Sequence, residues 1–338
     1  DDNGTNNFTS LGYTAAGQLA DDDQHYKYIY DAWGRLVKIT NQSNATVTEY
    51  EYNGLGHRIG HKWDTDGNAS LEWQWLAYDD RWRVVARFED GAAVSEPFEQ
   101  VYHHYAGLAG QGGSSYIDLV ICRDRDTDTE SNGFESREYV LQNWRADVIA
   151  LAAADGDLLE RVTYDPYGIP FATHPTDLTY GATSGVSGYG MPDGVLNNDD
   201  YNYFLALYTA SDWRADWNRD GTLDAADNTA YLADKAAATG SWGRGVLSNR
   251  ASILGYAGYI HEPATGAAGA GHGTMWHVRH RVLHSGLGRW VQRDPPQYEY
   301  SDSVGLSAYI YGATPRRLFP SGAGRGLDVS TMDIEAPQ

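Results

Sequence analysis

The chain has 338 residues, with 25 Lys and Arg against 46 Asp and Glu, for a formal net charge of −21. Such a charge excludes nucleic acid and anionic membrane surfaces as partners, since each would be repelled, and favours cations such as calcium as counter-charges. The absence of any apolar run of about 18 residues excludes a membrane-spanning helix, and Cys122, the one cysteine, excludes an intrachain disulfide.

Composition points to strands and turns: 25 Tyr and 11 Trp against 7 Phe, with 38 Gly. The chain opens at Asp1 with no signal sequence. The expectation is a processed product of a longer, exported chain, placed outside the cell or on its surface.

In chain order, Tyr13 to Leu19 is the first of a series of related hairpins. Tyr28-Ile29-Tyr30 alternates as a half-buried strand, Asp31 to Gly34 has turn chemistry, and Arg35 to Ile39 alternates again. Gly34 is expected to supply the positive backbone angle and Asp31 to bond its own backbone. Tyr50 to Ile59 repeats the pattern with Asn53 in place of Asp. One such hairpin cannot bury its apolar face, so the units are expected to lean on one another in series.

Trp63 ends a strand in the turn Asp64-Thr65-Asp66-Gly67, and Leu71 to Tyr78 pairs with Arg81 to Phe88 through Asp79-Asp80. Arg81, Arg83 and Arg87 are expected to pair with local carboxylates. Strands follow at Val101 to Tyr105 and Ile117 to Cys122, with Cys122 packed as a small apolar residue. The run Arg123 to Glu130 alternates charges, but it has no glycine where a calcium loop must turn, so a solvated connector is expected. Tyr139 to Asn143 and Val162-Thr163-Tyr164-Asp165-Pro166-Tyr167-Gly168 resume the theme, with a turn at Asp155-Gly156 between them.

Residues 174–249 break the pattern and read as helical. At their centre, Asp216 to Asp227 fits a twelve-residue calcium loop. Asp216, Asn218 and Asp220 fall at positions one, three and five, Gly221 at the sharp turn, and Thr222 offers its carbonyl at seven. Asp224 and Asp227 occupy nine and twelve. A poorer copy precedes it: Asp193, Val195, Asn197 and Asp200 match positions five, seven, nine and twelve, while one and three fall on Tyr189 and Met191. The better loop is similar to that of a dockerin, in which Asp takes the last place.

From Ser252 strands resume at Ile253 to Tyr259 and at Trp276 to His284, then come Gly286-Leu287-Gly288-Arg289-Trp290-Val291-Gln292-Arg293-Asp294-Pro295 and Leu306 to Gly312. A metal site at His277, His280 and His284 is not expected, because on a strand His277 faces away from the other two.

The Tyr-Asp turns, Tyr164 to Gly168 and Gly288 to Pro295 together resemble the Rhs/YD-repeat family, in particular the C-terminal part of its core. The resemblance implies a mainly β fold, an array of antiparallel hairpins that is shell- or solenoid-like, here with a small α-helical dockerin-like insertion. Four segments are expected: a hairpin array over 1–173, the calcium-binding insertion over 174–249, a β segment over 250–322, and a polar tail over 323–338. In the family, an Arg and an Asp near this motif assist self-cleavage; Arg293 and Asp294 match them, but Phe319 stands where a later Asp is expected.

The functional expectation is a non-enzymatic, calcium-stabilised extracellular scaffold that polymerises head-to-tail into a fibre or surface layer. The alternatives are a calcium-dependent module that adheres to a cell-surface protein or glycan, and a remnant of a self-cleaving, toxin-encapsulating shell.

Overall fold

The computed structural model describes residues 10–93, 96–104, 119–127, 133–181, 184–185, 187–238, 242–247, 252–266 and 274–293. Expectations for Asp294, for Leu306 to Gly312, for Phe319 and for the tail lie outside the described residues. No helix among those described is long and apolar enough to cross a membrane.

The fold is mainly β. Fifteen strands, from Gly12–Tyr13 to Gly243–Arg244, form one antiparallel sheet in which every strand pairs with its neighbours in the chain. Chain order sets this meander, and several of its hairpins are closed by turns that the sequence specifies, while the last pair, Pro170–Thr173 with Gly243–Arg244, closes across the helical insertion.

Five turns share one design. Asp31 Oδ1 accepts the backbone N–H groups of Trp33 and Arg35, each at 2.9 Å. Asn53, Asp79, Asn143 and Asp165 each bond the N–H groups two and four residues on in the same way. The residue three places after each acceptor has positive φ: Gly34, Gly56 and Gly168, but also Trp82 at 62° and Ala146 at 64°. Two worn copies thus keep the left-handed turn without the glycine that favours it.

The tyrosine before the turn does more than pack on the residue opposite. It sits at a register shift, and its hydroxyl reaches back one hairpin. Tyr30 donates to the Leu19 carbonyl, Tyr52 to that of Leu36 and Tyr78 to that of Arg58, all at 2.6 Å. His103 Nε2 meets the Val84 carbonyl at 2.6 Å in the same relation. Each acceptor lies two residues past the positive-φ residue of the preceding turn, so successive hairpins are stitched in register.

A second sheet of four strands, Ile260–Glu262, Met275–Val278, Arg281–His284 and Arg289–Trp290, packs on one face of the first. Met275, Val282 and Val291 join Leu19, Tyr28, Leu36 and Tyr50 in one core; Ile253 and Leu254 join Leu76, Val101, Val140 and Leu151 in another. Trp276 is fully buried and donates from Nε1 to the Gly168 carbonyl at 2.8 Å. A Cβ on Gly168 would lie 2.8 Å from the Tyr256 ring, so this contact needs glycine. One small sheet therefore touches hairpins spread from Leu19 to Gly168, which requires the large sheet to curl around it as a plug.

Several expectations need correction here. Trp276 to His284 is not one strand: Arg279 takes φ 51° and turns the chain between two. His277 and His284 are both buried. Within Ile253 to Tyr259, Tyr256–Gly258 forms a 3₁₀ turn rather than strand. The start of the supposed solvated connector is strand Val120–Arg125, and Arg123 is 1% exposed. Its guanidinium lies between Glu138, at 2.9 Å from Nε, and Glu99, at 3.2 Å from Nη1. Arg83 does pair with Asp79 and Arg87 with Glu99, as local charge balance leads one to expect. Cys122 is buried, and burial pushes its thiol pKa up.

Candidate metal centre

The insertion holds two helices, α1 (Asn198–Thr209) and α2 (Ala225–Ala237). Each begins in a capping box, Asn197 with Asp200 and Asp224 with Asp227, which satisfies the free N–H groups of the first turn. The two helices pack through an aromatic pair: Phe204 and Tyr231 stack with centroids 4.3 Å apart, each four residues past the acidic member of its capping box.

In the Asp216 to Asp227 loop, Asp216 Oδ2 accepts the Gly221 N–H at 3.0 Å. Asn218 accepts from Asp220, Asp220 from Thr222 and Asp224 from Ala226, a chain of short side-chain turns that coils the loop. Asp227 is fully buried, and its carboxylate gathers the N–H groups of Trp217, Asn218 and Asp224 at 2.8, 3.2 and 2.8 Å. The other oxygen of Asp216, Oδ1, is buried with no hydrogen-bond partner. An orphaned carboxylate oxygen in a coil of oxygen-bearing side chains is chemically suited to a hard cation such as calcium.

The first loop has the same wiring over Asp193, Val195, Asn197 and Asp200, but its positions one and three are not the residues that contiguous spacing assigns. Asp200 gathers the N–H groups of Leu178, Thr179 and Asn197 at 2.8, 3.1 and 2.9 Å. Asp177 Oδ2 accepts from Gly194 at 2.6 Å, Asp193 from Val195 and Asn197 from Asp199. Bond for bond, Asp177 corresponds to Asp216 and Thr179 to Asn218. Positions one and three therefore correspond to Asp177 and Thr179, thirteen residues intervening in the chain between Thr179 and Asp193. Tyr189 and Met191 do not hold those places; Tyr189 packs edge-on against Tyr203. Asp177 is fully buried; burial, with the nearby charges of Asp200 and Asp193, raises its pKa to about 6 against the hydrogen bonds it accepts.

Among the described residues, Asp64, Asp66 and Glu72 bring three carboxylate oxygens within 4.8 Å of one another, at a turn read from sequence without a metal role. Asp216, Asp220, Asp224 and Asp227 do not form such a three-carboxylate group among the described residues. Arg293 ends the described C-terminal stretch, so the Arg293 and Asp294 pairing is not on view.

The other charged centre is in the plug. Glu262 is fully buried and meets Tyr50 Oη at 2.8 Å, His61 Nε2 at 3.0 Å and His277 Nε2 at 3.0 Å. Burial alone would raise its pKa, but the contacts with His61 and His277 hold it well below the carboxylate range. Burial lowers the pKa of His277 to about 3 and that of His261 to about 4, and also lowers that of His61. The centre is an ionised glutamate hydrogen-bonded by neutral rings, with the buried guanidinium of Arg58 paired to it at 3.5 Å.

No curated protein matches the chain. Among solved structures, a crystal structure of TcdB2-TccC3 is similar at 13% identity and a TM-score of 0.45, over 89% of this chain and 10% of that one. The Photorhabdus luminescens Tc holotoxin pore in a TccC3 mutant is similar at 12% identity and a TM-score of 0.32, over 90% of this chain and 14% of that one. The chain thus spans about a tenth of the length of such structures. A family model described as RHS Repeat matches residues 30–69, the stretch that carries the Asp31 and Asn53 turns.

Proposed function

We propose that this chain is a structural scaffold of the Rhs type, acting outside the cell or at its surface, with calcium bracing the helical insertion on the hairpin array. The observation that carries this reading is the backward stitch, in which Tyr30, Tyr52, Tyr78 and His103 each bond the preceding hairpin. A fold of repeated mutual support is suited to extension and enclosure, and these side chains serve rigidity rather than chemistry.

Calcium would be held by Asp216, Asn218, Asp220, Thr222, Asp224 and Asp227, and in the first loop by Asp177, Asp193, Val195, Asn197 and Asp200. The ion supplies positive charge to two acidic coils and offsets the charge that burial makes costly on Asp177. Arg219 carries the brace to the array, donating to the Gly156 carbonyl at 2.8 Å and pairing with Asp157.

The finer form of the reading is head-to-tail polymerisation into a fibre or surface layer. Its support is that, among the described residues, the end strands Gly12–Tyr13 and Gly243–Arg244 each pair on one side only. Electron microscopy of concentrated protein and thermal melting, each with calcium and with chelator, test the two parts. Filaments and a calcium-dependent rise in the melting of the insertion are expected; dispersed particles remove the polymer, and a calcium-insensitive melt removes the brace. The self-cleaving alternative predicts a mass change that Asp294→Asn abolishes.

A further inference from the structure

Between the insertion and strand Leu158–Tyr164 lies a cleft of about 810 Å³. That size takes a ligand of a few rings, not a protein domain. Tyr203, Trp213 and Trp217 line it. Trp213 is 82% exposed, on a short helical turn capped by Asp212. Trp217 is fixed by the 2.6 Å bond from its Nε1 to Asp234.

The charges of the cleft are unequal in kind. Arg214 is bound to Asp212 at 2.8 Å and Arg219 to Asp157 at 3.2 Å. Arg161 also lines the cleft, yet it makes no hydrogen bond or ion pair with the described residues. Asp177, the carboxylate whose charge it feels, already accepts from the Asp193 and Gly194 N–H groups. A chain of net charge −21 leaves few guanidinium groups without a partner, and this one lines the same ligand-sized cleft as the exposed Trp213 indole.

We propose that the cleft binds a short oligosaccharide bearing a carboxylate. One sugar stacks its C–H face on Trp213, and the carboxylate takes a charge-assisted pair of hydrogen bonds from Arg161. A flat aromatic beside fixed polar groups suits a sugar, which is apolar on its ring faces and polar at its rim; a purely apolar ligand would leave those groups unpaired. Four carboxylates also line the cleft, and each is already engaged: Asp157 by Arg219, Asp234 by the Trp217 indole, and Asp177 and Asp216 by backbone N–H groups. The inference goes beyond the scaffold reading; because Asp177, Asp216 and Asn218 of the proposed calcium loops also line the cleft, the titration is run with calcium and with chelator.

Calorimetric titration of the full chain with sialyllactose and with lactose tests it. Sialyllactose should bind more tightly than lactose by about tenfold, the equivalent of one charged hydrogen bond. Trp213→Ala should weaken both sugars, and Arg161→Gln should bring sialyllactose down to the level of lactose while leaving lactose unchanged. Both variants should keep the wild-type circular dichroism, since neither side chain supports a core. No heat with either sugar at millimolar concentration, or equal affinity for the two, overturns the proposal.

Discussion

Arg123, 1% exposed between Glu99 and Glu138, is the residue whose loss should cost most for its size. Burial would raise the pKa of Glu99, yet Arg87, Arg123 and Arg125 together lower it, so its charge is committed to the fold. Arg123→Ala leaves two buried carboxylates short of a partner and should destabilise the protein by about 3–5 kcal/mol in urea unfolding. A loss below 1 kcal/mol, on the scale of exposed pairs, would mean that water reaches this belt. Sequence hid the arginine because its run of alternating charges looks solvated, while its partners lie 24 and 15 residues away. Ala146 makes the opposite case. At φ 64° and fully buried, it holds the left-handed place that Gly34 and Gly56 hold elsewhere. Ala146→Gly should therefore raise stability by about 1 kcal/mol, the relief of a left-handed Cβ less the entropy glycine adds to the unfolded chain.

At the scale of elements, the plug and the insertion should respond to acid in opposite directions. In the plug, His277 and His261 have folded pKa values of about 3 and 4 against an ordinary 6.5. The unfolded chain takes up protons first, so stability falls as pH drops below 6.5; Glu262, held below its ordinary 4.5, adds to the loss at lower pH. In the insertion, Asp177 has a folded pKa of about 6 against 3.8. Its contribution is full below 3.8 and is lost as pH rises through 6, which is the charge calcium would offset. Without calcium, melting at about pH 5 rather than pH 7.5 should weaken the array and plug but strengthen the insertion, and calcium should remove the second difference. A common shift of both transitions would refute the separation. The hairpins, the Asp216 to Asp227 loop and its helix were legible because each is written in adjacent residues. Asp177 was not, because a template of contiguous positions cannot see across residues 180–192; an acidic residue followed two places later by a hydroxyl, ahead of an incomplete loop, was the signal.

At the scale of the molecule, the stitches explain register but not closure. Hairpins linked only to their neighbours would make an open ribbon, whose ends could fray independently. The plug changes this, since Trp276 reaches Gly168 in the last hairpins while Met275 beside it packs with Leu19, Tyr28 and Tyr50 in the first. Folding of the array should therefore be one cooperative event that includes the plug. Trp276→Ala, which removes a fully buried indole together with its hydrogen bond, should cost about 3–5 kcal/mol and should lower the melting of the whole array in one step. Hydrogen exchange resolves the question by location: protection should fall together at Leu36, Val140 and Val162, on three strands that are not neighbours in the sheet. Were protection to fall only near Gly168, the hairpins would be independent modules and the plug merely a neighbour of the last of them.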